Sequence, residues 1–395
     1  MMKRQSFLAG ALLAGGTALG QRVIDVSKQG QGEIGINLSG YRTGSDAASR
    51  TFLAVLKADL NRSGYFQVTS SAAPISVTGQ VVAGGEIKAG VAVYKVSTRE
   101  RVLGKTYTGE AVAARELAHK VADEIVFAVT GKRGMASGKI AVVGNRSGRK
   151  ELYVFDMDGK VMRQVTKDGS IVVDSNWTPD GKNLVYTSYK RGFPNIYMTG
   201  NRKPLAAFGG LNAMGAVSPD GHSLALILSK DGNPELYVMS LRSGSLKKLT
   251  RTRMGNEASP CWSPDGNHIA YVSDSSGKPQ IYIVSKNGGT PQRLTTTGSE
   301  NVAPDWGKNG YITFCTRSGG RYRIAIIDPR TRSAQVLETD WADYESPSWA
   351  PDGRHIVCSR TASHRSSIYL LDTLKDSPVA LISGSGDWYS PTCSP

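Results

Sequence analysis

The chain has 395 residues, of which 39% are hydrophobic and 8% aromatic, with 45 glycines and 17 prolines. That length predicts two or three domains with real cores, and the even spread of glycine and proline excludes both a disordered polymer and a membrane bundle. A formal charge of +15 admits nucleic acid, an anionic envelope or acidic proteins as partners, but no block of five like charges occurs, so the basic residues read as solvated faces.

Lys3 and Arg4 precede an uncharged run from Gln5 to Gln21, apolar from Phe7 to Leu13, and Ala18-Leu19-Gly20 places small residues at a cleavage site. Residues 1–20 therefore read as a signal peptide. As a helix the run would reach only about 25 Å, short of the roughly 30 Å of hydrocarbon in a bilayer, so it is not expected to span a membrane. The first cysteine, Cys261, lies too far along for a lipidated N-terminus. Gln21, Arg22, Val23, Ile24, Asp25 and Val26 then alternate polar and apolar before Gln29-Gly30-Gln31-Gly32. That segment reads either as a strand-adding arm on a glycine hinge or as the first strand of the following domain. Residues 21–135 are predicted to hold a small α/β domain. Its elements are a strand at Ile34 to Leu38, a helix at 48–61 with Phe52, Val55, Leu56 and Leu60 at helical spacing, and strands at 75–82, 91–96 and 105–108. A second helix from about Val112 to Val129 stops at Gly131.

From residue 139 a repeat takes over. Turns at Asp180-Gly181, Asp220-Gly221, Asp265-Gly266, Asn309-Gly310 and Asp352-Gly353 recur at spacings of 40, 45, 44 and 43 residues. Most follow a Pro-x-Trp-type strand, as in Ser259-Pro260-Cys261-Trp262 and Ser346-Pro347-Ser348-Trp349. Three more short strands complete each unit, the third reading Glu151-Leu152-Tyr153-Val154 or Gln280-Ile281-Tyr282-Ile283. Such units cannot bury both faces alone and must stack radially. Six third strands predict a six-bladed β-propeller over residues 139–395. The first unit starts at its second strand, Ile140-Ala141-Val142-Val143, and Tyr389 to Cys393 is an orphan first strand, so the C-terminal strand is expected to close blade one.

Two N-terminal stretches, Asp59-Leu60-Asn61-Arg62-Ser63-Gly64-Tyr65-Phe66 and the run from Ala118 to Gly134, together with the Ser-Pro-x-Trp-Ser-Pro-Asp-Gly repeats, resemble the TolB family of the Tol-Pal cell-envelope system. The likeness covers nearly the whole chain after the leader. Departures are Ala216-Val217-Ser218-Pro219 in the second unit and Gly307-Lys308-Asn309-Gly310 in the fourth. The resemblance implies a periplasmic, non-enzymatic adaptor that supports outer-membrane integrity and cell division. It would bind a Pal-like lipoprotein, with which colicin peptides compete, at the propeller mouth, and a TolA-like inner-membrane protein through the arm.

The residues themselves offer no catalytic set. Gly104-Lys105-Thr106 lacks the earlier glycine of a phosphate loop, which is Arg99 here, and no nucleophile elbow occurs. His119, His222, His268, His355 and His364 form no metal signature, and three lie at or just after repeat turns, so they read as surface residues. Cys261, Cys315, Cys358 and Cys393 read as unbridged buried thiols, because equivalent positions on neighbouring blades exceed the roughly 7 Å that a disulfide tolerates. The segments entering the innermost strands converge on one channel mouth. Asp174, Asn256, Glu257, Ala258, Glu300, Asn301, Val302, Asp343, Tyr344, Glu345, Asp387 and Trp388 are the candidate partner-binding residues there. They predict a carboxylate-rimmed funnel with Tyr344, Trp388 and Tyr389 as aromatic contacts, fitting a basic or amide-bearing loop and suited to a cation such as Ca²⁺. No cofactor and no nucleic-acid partner are expected, and the protein reads as a monomer. Two other readings stay open: a carbohydrate- or peptidoglycan-binding propeller, and the propeller of a prolyl-oligopeptidase-like hydrolase, against which the chain stops where the hydrolase domain would start.

Overall fold

A computed structural model describes residues 32–375 and 377–395, and both the leader and the Gln21 to Val26 arm lie outside them. The N-terminal unit runs β1 (Ile34–Asn37), β2 (Tyr41–Thr43), α1 (Ala47–Arg62), β3 (Phe66–Thr69), β4 (Ile75–Ala83), β5 (Glu86–Lys95), β6 (Glu100–Glu110) and α2 (Ala114–Thr130). The sheet order is β3-β1-β4-β5-β6, with β2 also on β4; β1, β2 and β3 join in parallel, and β4, β5 and β6 form an antiparallel meander. Asp46 caps α1 by accepting the Ser49 N–H at 2.7 Å. Gly131 ends α2 in the left-handed conformation, φ 68°. Phe52, Leu56 and Leu60 of α1 meet Val121 and Ile125 of α2 in one core above the sheet. Two short strands, β2 and β3, join those expected, and β6 is longer than its apolar run because it is an edge strand that exposes most of its residues.

The propeller has six blades. Their innermost strands are Trp388–Cys393, Val172–Trp177, Asn212–Val217, Glu257–Trp262, Asn301–Trp306 and Asp343–Trp349. The first of these pairs with Lys139–Gly144, Trp388 facing Gly144 and Cys393 facing Ile140, so the C-terminal strand completes blade one. The second blade has three strands, an isolated bridge between Ile196 and Ala206 standing in for the fourth. Recurrent residues have recurrent tasks. The hydroxyls of Thr166, Thr250 and Thr295 each accept a third-strand N–H, from Leu152, Leu236 and Ile281, at 2.8 to 2.9 Å. In the Asp-Gly turns the hydroxyls of Thr178, Ser218 and Ser263 donate to Asp180, Asp220 and Asp265 at 2.5 to 2.6 Å.

Six apolar clusters lie between successive blades. The closing one holds Trp388, 1% exposed, edge-on to Tyr153 and Phe155 with centroids 5.2 and 5.3 Å away. A Cβ at Gly144 would lie 2.3 Å from that indole, so only glycine fits beneath it. The four cysteines are free thiols, three buried and Cys261 half-buried.

The N-terminal unit sits against blades six and one, on the face that carries the Asp-Gly turns. Arg354 forks onto Asp372 at 2.8 and 2.6 Å and lies 4.6 Å over the Tyr65 ring. Arg115 pairs with Asp158, and His119 Nδ1 lies 2.5 Å from Asp59 while its Nε2 lies 3.6 Å from Asp156. His119 and His355 are thus not surface residues: the opposing unit covers the first, and the second is 1% exposed against Asp352. Burial opposes the charge of His119, yet its bonds to Asp156 and Asp59 outweigh that and raise it to about 9.

Candidate functional site

All six innermost strands carry a bulge, and at each one a residue adopts a left-handed backbone: Asp174, Met214, Ser259, Ala303, Ser346 and Ser390, with φ between 46° and 58°. Such positions cost roughly 1–3 kcal/mol each and persist only where neighbours over-determine them. Four of the six precede proline, whose missing N–H the unpaired bulge does not need. The bulge turns these residues onto the central channel, where Asp174, Met214, Ser259, Ala303, Ser346 and Ser390 all line one cavity of about 160 Å³. The channel mouth on the face away from the N-terminal unit is formed by the segments leading into these strands.

The predicted mouth residues divide by their place relative to the bulge. Glu257, Asn301, Tyr344 and Trp388 occupy equivalent positions two residues before it and are buried between blades, at most 2% exposed. Tyr344 and Trp388 are therefore packing residues and present no aromatic surface at the mouth. Ala258, Val302, Glu345 and Tyr389 come one residue later and are half-buried. Asn256 is exposed and donates to Asp274 at 3.0 Å. On the rim, Glu300 accepts from Tyr322 Oη at 2.6 Å and from Arg317 at 3.0 Å, bonds that hold its carboxyl below the usual range. Asp387 accepts the Ser366 N–H and the Asn145 amide, both at 3.1 Å, with the same effect. Asp343 accepts the Tyr322 N–H at 2.9 Å.

Deeper in the channel the sign of the effect reverses. Burial raises Asp174 to about 6, and raises Asp305 to about 6 although Asp305 accepts the Trp349 N–H at 2.7 Å. Burial, then the neighbouring Asp343, raises Glu345. The channel thus has a charged rim whose carboxylates are already oriented by donors, above a shaft whose carboxyls burial makes weaker acids than those of the rim. Such a lining suits backbone amides and polar side chains of an inserted loop. Among the described residues, the one group of three close metal-ligand atoms is His119, Asp156 and Asp158, away from the channel, and Arg115 and Lys139 already bring positive charge to those carboxylates.

The same free face carries large apolar side chains in the loops between strands: Phe193, Met254 and Trp341 are 74%, 91% and 86% exposed, with Ile171 half-exposed beside them. Arg321 stacks 3.8 Å over Trp341. Of these only Ile171 falls in a segment singled out from sequence. The available signal was a bulky apolar residue in a blade-connecting loop instead of a strand.

A Tol-Pal system protein TolB of Desulfosudis oleivorans is 34% identical over 180 residues, 45% of this chain and 41% of that protein. Its counterpart in Bordetella pertussis is 33% identical over 271 residues, 62% of each chain. The matched stretch spans less than two thirds of either relative. The crystal structure of TolB from Acinetobacter baumannii superposes with a TM-score of 0.81 at 27% identity, covering 92% of this chain and 97% of that one. Residues 127–395, the whole propeller and the end of α2, match PD40, the TolB beta propeller domain. The chain belongs to the TolB β-propeller family.

Proposed function

We propose that this protein is a non-enzymatic adaptor of the Tol-Pal system, working in the periplasm with a Pal-like lipoprotein at the propeller mouth and a TolA-like inner-membrane protein on the Gln21 to Val26 arm. The observation that carries the reading is the free propeller face. A rim of pre-oriented carboxylates and four exposed apolar side chains surround a polar shaft there, on the side opposite the N-terminal unit. Exposed apolar groups ringed by polar ones mark protein-interaction surfaces. Membership of the family supports choosing the partners from the Tol-Pal system. No helix among the described residues is long and apolar enough to cross a membrane.

The test is calorimetry of the purified protein against the soluble domains of both partners. Changing Glu300 and Glu345 to Gln with Trp341 to Ala is expected to weaken the lipoprotein at least tenfold, the tryptophan supplying most of the loss because rim charges are screened. Ile24→Pro removes an amide donor that a paired strand needs, so it is expected to abolish inner-membrane partner binding and leave lipoprotein binding intact. Unchanged lipoprotein affinity in the triple variant, or loss of both partners in Ile24→Pro, refutes the two-surface reading. Preferential capture of muropeptides at the mouth would favour the carbohydrate-binding alternative.

A further inference from the structure

On the face that carries the Asp-Gly turns, a cavity of about 360 Å³ opens between blades four and five, remote from both the channel mouth and the domain junction. Its origin is legible in the repeat. Trp177 and Trp262, at the ends of their innermost strands, send Nε1 back to a carbonyl of the preceding blade, Thr392 O at 3.0 Å and Ala216 O at 2.9 Å. Trp306 stands at the equivalent place but donates within its own turn, to Gly310 O at 3.2 Å. That turn is Gly307-Lys308-Asn309-Gly310, the one that lacks the Pro-Asp-Gly sequence. The half-buried Trp306 therefore forms a wall of the inter-blade cavity as well as of the channel's lower end.

The charged residues of the lining are all basic. Arg293, Arg330, Arg332 and His268 reach it, among neutral and apolar residues that include the buried Leu294. Arg330 is neutralised by Asp328 at 3.0 Å. Arg293 spends only its Nε, on Thr295 O at 2.7 Å, and among the described residues neither Arg293 nor Arg332 has a carboxylate partner. Two guanidinium groups lacking counter-ions beside an indole wall, in a volume that suits a sugar ring or two, form a chemically specific arrangement. Guanidinium forks match carboxylates bidentately, and an indole offers a flat apolar platform to the C–H face of a pyranose.

We propose that the groove between blades four and five is a binding site for a carboxylate-bearing saccharide, with Trp306 stacking on the ring and Arg293 and Arg332 holding the carboxylate. The site is separate from the partner surfaces, so its failure leaves the adaptor reading untouched. The experiment titrates the full mature chain with glucuronic acid and N-acetylmuramic acid, against glucose and N-acetylglucosamine, followed by saturation-transfer NMR and calorimetry. The acidic sugars are expected to bind about tenfold tighter than their neutral counterparts, and the preference to shrink as salt rises. Arg332 has a φ of 60°, a conformation that asparagine tolerates, so Arg332→Asn keeps the loop and is expected to remove most of the preference for the acid. Arg293→Gln is expected to do the same, while Trp306→Leu weakens acidic and neutral sugars alike. Equal binding of acidic and neutral sugars overturns the proposal. So does an unaltered affinity in Arg332→Asn, stronger binding of adenosine monophosphate than of either acid, or no saturable binding up to about 10 mM.

Discussion

Replacing Glu257 by Gln is expected to stabilise the protein, by an amount that grows as pH rises from 4.5 to 7 and is full above 7. Glu257 begins the innermost strand of blade four, is 2% exposed, and its two carboxyl oxygens make no hydrogen bond. One blade further on, Asn301 occupies the same position and donates from Nδ2 to Gln280 Oε1 at 2.9 Å. The counterpart of Gln280 beside Glu257 is Glu235, so this blade junction sets two carboxyls where the next sets two amides. Burial pushes Glu257 from 4.5 up to about 7, against a smaller opposing pull from the nearby Ser273 and Thr252 side chains and with Glu235 and Asp274 adding repulsion. Below pH 4.5 both folded and unfolded chains hold the proton and nothing is lost. Between 4.5 and 7 the unfolded chain releases it while the fold retains it, and stability falls by about 1.4 kcal/mol per pH decade, reaching about 3 kcal/mol above 7 as an upper bound. Gln carries no charge and can donate to Glu235 as Asn301 does to Gln280. Urea titrations at pH 4.5 and pH 8 should show the two proteins within about 1 kcal/mol at the lower pH. At the higher pH the variant should lead by about 2–3 kcal/mol, a rise in Tm of about 4–6 °C for a unit of this size. An equal difference at both pH values, or a less stable variant at pH 8, refutes the reasoning. Because Glu257 is buried, the same variant should bind the lipoprotein partner as the parent does.

Three further outcomes follow from the packing and charges described. Gly144→Ala places a methyl 2.3 Å from the Trp388 ring, so it should lower stability by about 2–3 kcal/mol and blue- or red-shift the indole emission; an unchanged melt and spectrum count against tight closure. Removing residues 388–395 takes away the strand that pairs with Lys139–Gly144 and should abolish cooperative unfolding of the propeller in calorimetry, whereas an unaltered transition shows that the ring does not depend on it. His119, raised to about 9, lends stability that is fully present below its ordinary value near 6.5 and is lost as pH rises through 9. His119→Gln should therefore show a flatter stability profile between pH 6 and 10 than the parent, measured by urea unfolding.

The architecture was legible because its signals are local. Asp-Gly turns, the Pro-x-Trp strands and the orphan strand at Tyr389 to Cys393 are each recognisable within a few residues. The candidate site was less legible because a bulge shifts the alternation of every innermost strand. Without it, Tyr344 and Glu345 exchange sides, and so do Trp388 and Tyr389. The bulge has no glycine to announce it, since its left-handed residues are Asp, Met, Ala and three Ser. Glu300 and Asp387 were read as bare rim charges, but Arg317, Tyr322 and Asn145, which pair with them, come from strands and loops distant in sequence. His119 looked like a surface residue because what buries it belongs partly to the other unit, about forty residues away at Asp156 and sixty at Asp59.

The closing ladder between residues 388–393 and 139–144 also sets an order in time. Five blades can assemble as their hairpins emerge, since each depends on strands made within a few tens of residues. Blade one cannot, because its innermost strand is made some 245 residues after the strand it joins. Until then Lys139–Gly144 presents an unpaired edge, and the hollow against Tyr153 and Phe155 that Trp388 will fill stands open. A contact of such sequence separation is slow to form, and the waiting intermediate exposes what chaperones recognise, an apolar hollow beside a free strand edge. Holding that edge away from other chains during folding is therefore a demand this ring places on its cell, one that a propeller closed within a single repeat would not make.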